Sequence, residues 1–135
     1  MFTSEKLSLA LKKLSNALGR LDEAVAELPS SIQSDAVLQR FEFTFELCWK
    51  ALRIYLAEAE GIEVSSPKGT LKAAFRHGLI QGTEEQQFLQ MLEDRNTSAH
   101  VYDERESHEI FARVRDSHLP SMKALLPRIK TESRP

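Results

Sequence analysis

Apolar residues recur along this chain at steps of three and four, the spacing of one face of a helix rather than of a half-buried strand. Leu7, Leu11, Leu14, Leu18, Leu21, Val25 and Leu28 form the first series, which predicts a helix that Pro29 ends. The steps average about 3.5 residues, the seam that lets helices lie nearly parallel with shallow left-handed crossings. A second helix is expected from a cap at Ser34 or Asp35 to about Glu60, closed by Gly61. Its main stripe is Leu38, Phe41, Phe45, Cys48, Leu52, Tyr55 and Ala59; Phe43, Leu47 and Ile54 form another, which reads as a wider core contact or a surface for a second copy of the chain.

Ser66-Pro67 marks a third, short helix that stops at His77-Gly78. Thr83-Glu84-Glu85-Gln86 has the reciprocal cap pattern expected to open a fourth, which carries Phe88, Leu89 and Leu92 inward and ends near His100 to Tyr102. Asp103-Glu104-Arg105-Glu106 opens a fifth, with Ile110, Phe111 and Val114 on its apolar side. Pro120 must kink or restart that helix before Met122, Leu125, Leu126 and Ile129 continue the stripe. The expected fold is all-α: an up-and-down antiparallel bundle of four to five helices, dimerising through helices, in one domain over residues 1–130 with a frayed tail over 131–135.

Composition narrows the function classes. A chain of 135 residues with 41 % hydrophobic and 28 % charged residues can bury a core of its own. The apolar runs are too short to span a bilayer, and Glu5 interrupts the N-terminus before any secretory apolar segment, so the expected location is cytoplasmic. One cysteine, Cys48, excludes a disulfide framework and a multi-cysteine zinc site. A formal charge of -2 argues against a long nonspecific grip on nucleic acid but leaves room for a local basic pocket.

Candidate chemistry concentrates in Glu93-Asp94-Arg95-Asn96-Thr97-Ser98-Ala99-His100-Val101-Tyr102-Asp103. Arg95 offers a fork of donors matched to phosphate oxygens, His100 exchanges protons near neutral pH, and Tyr102 adds a phenol. On a regular helix Arg95 and His100 stand roughly 140° apart, so either the helix end bends or two chains share the site. The ordinary alternative is that these groups offset a helix dipole and that Asp94 and Arg95 form a solvated surface pair. Asn96 lies one turn before His100 and could orient it or bond the backbone; Glu46 and Lys50 stand in the order of a helical ion pair. Cys48 and Trp49 read as packing, Lys68, Lys72 and Arg76 as a solvated face that could also guide an RNA backbone, and His108 and His118 as surface residues; no metal-ligand set is apparent.

The run from Arg95 to Tyr102 matches the arginine, four residues, histidine, one residue, tyrosine motif of the HEPN superfamily. Phe41 to Leu52, Ser66-Pro67-Lys68, Ala73-Ala74-Phe75, Gly78-Leu79-Ile80 and Met91 to Asn96 resemble the branch known as HepT-like toxins or nucleotidyltransferase substrate-binding proteins, over about residues 37 to 110. One departure is Phe88, where the family often has tryptophan. The resemblance implies a helical homodimer in which Arg95 and His100 of both copies enclose RNA and cut it without metal or other cofactor. It implies Asn96 and Glu46 as supporting residues, and Tyr102 as the acceptor of AMP from a minimal nucleotidyltransferase of the MNT type acting as antitoxin. Membrane and DNA are not expected partners. The alternative it leaves open is a non-catalytic docking subunit that presents substrate to the nucleotidyltransferase.

Overall fold

The computed structural model describes residues 4–26, 31–98 and 103–132. The elements are helices α1 (Glu5–Ala26), α2 (Ser31–Glu60), α3 (Pro67–Arg76), α4 (Glu85–Ser98), α5 (Glu104–Arg113) and α6 (Leu119–Glu132), and among the described residues there is no strand. The architecture is the expected all-α, up-and-down antiparallel bundle.

Polar ties show the direction of the helices directly. Ser4, ahead of α1, accepts from the Leu7 amide at 2.9 Å and donates its hydroxyl to Glu58 near the end of α2. At the other end Arg40 of α2 donates to the Arg20 carbonyl of α1 at 3.1 Å, so the two helices run antiparallel. α4 and α6 do the same: Ser121 meets Gln87 at 3.2 Å while Arg128, a further two turns along α6, holds Glu84 ahead of α4 at 2.7 and 3.0 Å. The longest helix, α2, touches all the others and so carries the middle of the core.

The core follows the expected stripes on α1 and α2, whereas on α4 Met91 joins Phe88 inside and Leu89 and Leu92 are only half-buried. Leu7, Leu11, Leu14, Leu18 and Leu21 of α1 face Phe41, Phe45, Cys48, Leu52 and Tyr55 of α2, all buried. Phe88 and Met91 of α4 and Ile110, Val114, Met122, Leu125 and Ile129 of the last two helices close it. The second α2 stripe divides: Leu47 and Ile54 pack partly against the core, whereas Phe43 is 64 % exposed. Leu28 and Pro29, the expected end of α1, lie outside the described residues.

Several boundaries fall where the caps predict. Gly61 takes φ +67°, and the Ile62 amide returns to the Leu56 carbonyl at 3.0 Å, closing α2 in the left-handed turn that glycine adopts without strain. Ser66 accepts from the Gly69 amide at 3.0 Å, Gly78 turns the chain after α3 at φ +81°, and Asp103 accepts from the Arg105 amide at 2.9 Å. Two boundaries are corrected. α2 begins at Ser31, because nothing between it and Ser34 breaks a helix. The reciprocal cap before α4 is built from Gln81 and Glu84 rather than Thr83 and Gln86: Glu84 accepts from the Gln81 amide at 2.9 Å and opens a single 3-10 turn, Gly82–Glu84, that leads into the helix. Arg128 selects that register, since its hydrogen bonds and charge hold the Glu84 carboxyl below the usual carboxylate range.

Pro120 neither stops nor sharply restarts the last helix. α5 runs into α6 through one wide turn, Val114–His118, in which the Leu119 amide reaches back five residues to the Val114 carbonyl. Proline cannot supply the amide that an α-turn would direct to the Asp116 carbonyl, and its ring would crowd that carbonyl; widening the turn just before it removes the conflict.

Because Phe45 is fully buried on the central helix, Phe45→Ala is expected to lower the free energy of unfolding by about 3–5 kcal/mol. Urea denaturation checks this, with the midpoint falling at unchanged slope.

Candidate functional site

Asp94 and Arg95 occupy the last turns of α4, and their side chains leave the helix about 100° apart. Phe88, Met91 and Asp94 are the buried positions of this helix, so Asp94 points inward and Arg95 is carried round toward α2.

The Asp94 side chain is 4 % exposed and accepts from three neighbours. Arg113 of α5 binds it with two parallel bonds, Nε to Oδ2 at 2.7 Å and Nη2 to Oδ1 at 2.8 Å. His118, on the wide turn, approaches Oδ2 through Nε2 at 2.6 Å, and Gln90 donates to Oδ1 at 3.1 Å from one turn back along α4. Burial pushes the Asp94 carboxyl up, but the hydrogen bonds from His118 and Arg113 and their charge outweigh it and bring it down to about 2. An ionised carboxylate only accepts, so the proton between Asp94 and His118 belongs to Nε2. The imidazole is 1 % exposed and stacks on Phe41 with ring centroids 5.4 Å apart, while its Nδ1 has no partner.

The reading of Asp94 and Arg95 as a solvated surface pair is therefore wrong, as is the surface assignment of His118. Asp94 is paired with Arg113 of α5 and His118 of the wide turn, and His118 stands in the apolar stripe Phe111, Val114, Met122, Leu125 and Ile129. A histidine in step with an apolar stripe is a signal for burial that the sequence did contain. The partnership with Arg113 had no such signal. His108 is exposed, as expected, with Nε2 4.0 Å from Glu104.

Arg95 turns the other way. Its Nη2 donates to Glu46 Oε1 at 2.9 Å, and Glu46 Oε2 stands 3.7 Å from Lys50 Nζ, so the expected ion pair on α2 extends into a chain of three charges. The Arg95 side chain is 34 % exposed, and its Nε is buried without a hydrogen bond. The Ser98 hydroxyl donates to the Arg95 carbonyl at 3.0 Å and satisfies one acceptor at the end of α4. Asn96 is exposed, and its side chain makes no hydrogen bond among the described residues. His100 and Tyr102 lie outside the described residues. What is in place is a guanidinium oriented on one side by a carboxylate and open to solvent on another, a geometry suited to an incoming phosphate.

Other residues singled out in the sequence are structural. Cys48 is buried, which pushes its thiol up to about 12 and keeps it out of nucleophilic chemistry. Trp49 is buried, with the Arg53 guanidinium 5.4 Å from its ring centroid. Lys68 and Arg76 are exposed and Lys72 half-buried on α3. Among the described residues no three His, Cys, Asp or Glu side chains are grouped to hold a metal ion, and no helix is long and apolar enough to cross a membrane.

Set beside known proteins, the chain falls in a defined class of helical proteins. The family described as nucleotidyltransferase substrate binding protein like matches residues 7–131, and the chain belongs to that family, in keeping with its resemblance to HepT-like members of the HEPN superfamily. A crystal structure from Thermus thermophilus is 39 % identical, with a TM-score of 0.76 over 90 % of this chain and 99 % of its own. A mutant of the toxin–antitoxin MntA-HpeT superposes with a TM-score of 0.78 over 95 % of this chain and 99 % of its own at 14 % identity, a likeness of fold. No curated protein matches in sequence.

The depressed Asp94 carboxyl has a consequence for stability. Its contribution is fully present above about pH 4 and is lost as pH falls toward about 2, because the folded state binds that proton less readily than the unfolded chain does. Urea denaturation near pH 6 and near pH 2 is expected to show an acid loss that is smaller in Asp94→Asn by about 2 kcal/mol.

Proposed function

We propose that this protein is the toxin of a toxin–antitoxin pair, a metal-independent endoribonuclease that works in the cytoplasm as a homodimer and is silenced when a partner nucleotidyltransferase transfers AMP to Tyr102. The observation that carries the reading is the placement of Arg95. Its guanidinium is oriented by Glu46, reaches solvent, and stands at the end of α4 just ahead of the segment bearing His100 and Tyr102.

A second copy supplies what one chain lacks. Phe43, Glu46, Leu47, Lys50 and Ile54 fall within about 100° of one another around α2, so the exposed Phe43 shares a face with the carboxylate that holds Arg95. A copy docked on that face by a twofold axis brings the two arginines toward one cleft. In that cleft one His100 takes the proton of a ribose 2′-hydroxyl, whose oxygen bonds to phosphorus as the bond to the 5′-oxygen breaks. The other His100 protonates the departing 5′-oxygen, while the paired Arg95 groups bind the charge on the phosphoryl oxygens. The products are a 2′,3′-cyclic phosphate and a 5′-hydroxyl; DNA, without the attacking hydroxyl, is left whole. AMP on Tyr102 sets negative charge beside Arg95 and His100 and competes for the same donors.

A second reading takes its cue from the family's description as substrate binding: the chain docks a nucleotidyltransferase and accepts its AMP without cutting RNA. Intact mass before and after incubation with ATP and the nucleotidyltransferase, beside an RNA digest, separates the two. The first reading expects cyclic-phosphate ends from pure protein and a mass gain that vanishes in Tyr102→Phe. Arg95→Ala and His100→Ala are each expected to lower cleavage about 100-fold or more while light scattering still reports a dimer. Phe43→Asp is expected to give a monomer without cleavage. Labelling with no turnover by the pure protein would leave the docking reading.

A further inference from the structure

Asp94 is buried, ionised and held by two cationic or proton-bearing partners, yet it stands beside the candidate site rather than in it. A buried ion pair is an inefficient way to add stability, since desolvation consumes most of the attraction; apolar groups of the same volume would serve as well or better. What such a pair supplies is direction, because a carboxylate met by two parallel guanidinium bonds and an imidazole N–H has one orientation that satisfies them all. Three features specify that orientation here. Arg113 grips both carboxylate oxygens, the wide turn before Pro120 carries His118 to Oδ2, and Phe41 fixes the imidazole plane by stacking.

We infer that Asp94 is a positioning residue for Arg95: anchored by Arg113 and His118, it sets the rotation of the last turns of α4, so that the next side chain meets Glu46 and presents its remaining edge to a phosphate. Adjacent residues on a helix turn together, and a rotation of the Asp94 carboxylate about the α4 axis sweeps the Arg95 guanidinium through the same angle at a larger radius. The Arg95 Nε is buried without an acceptor, so the guanidinium is held through its Nη2 bond to Glu46, whose reach depends on how α4 is rotated. The inference rests on the reading of Arg95 as the phosphate-binding group, and it adds the device that aims it.

The test compares His118→Gln, which keeps an N–H donor for Asp94, with His118→Phe, which keeps the ring stacked on Phe41 but donates nothing. Asp94→Asn is the third variant, and a melting curve is taken for each. Two quantities are read: steady-state cleavage of a single-stranded RNA, and solvent exchange of the Arg95 Nε–H by nitrogen-15 NMR. Positioning expects His118→Phe and Asp94→Asn to lose about tenfold or more in kcat, with KM within about twofold and Arg95 Nε–H exchange faster by about tenfold. His118→Gln is expected to recover most of the wild-type values in both. A His118→Phe protein with wild-type cleavage and a protected Arg95 Nε–H would overturn the inference, as would His118→Gln falling as far as His118→Phe. Should the wild-type protein cut no RNA, the nuclease reading fails alone, and the Arg95 exchange rates still decide for or against positioning.

Discussion

A carboxylate sealed from water is tolerated only when its neighbours replace the solvent, and this molecule arranges that around Asp94. The donors it requires, Arg113 and His118, come from elsewhere in the chain, so satisfying one group joins α4 to α5 and to the wide turn before α6. Apolar packing brings these helices together without choosing a fine rotation for any of them, because leucine and phenylalanine contacts are nearly non-directional. The bonds on Asp94 are directional, and they lie one residue from the arginine on which the functional reading turns. Backbone and charge adapt to each other here: Pro120 demands a widened turn, and that turn delivers His118.

The central helix does two jobs with different faces. One face of α2 meets α1 and the rest of the core through Phe41, Phe45, Leu52 and Tyr55. Another carries Glu46 to Arg95 and exposes Phe43 nearby. A helix with a single task in a bundle would show one stripe, and the second one on α2 divides between partial burial and exposure. That division is what a surface between core and partner would show, and it sets the proposed dimer contact beside the guanidinium rather than across the molecule from it.

Much of the bundle was legible from short-range chemistry. Gly61, Ser66, Gly78 and Asp103 announce helix ends because a left-handed turn or a cap hydrogen bond involves only residues a few positions apart. The leucine seam of α1 is equally local. The cap before α4 was misread because two overlapping patterns compete there, and the choice between them belongs to Arg128, more than forty residues away in the chain. His118 was misread for a related reason: its apolar register pointed inward, but a histidine is worth burying only where something accepts its proton, and that acceptor lies on another helix.

By itself, then, the order of side chains determined the helices and most of their inward faces, since periodicity along one strand of polymer is enough for those, while the family rested on the resemblance of its motifs, the short one with Arg95, His100 and Tyr102 among them. Only the packed molecule decided that Asp94 points into the core and Arg95 onto Glu46. Neighbours on a helix diverge by about 100°, and what each then meets depends on which other helices have come to lie beside it.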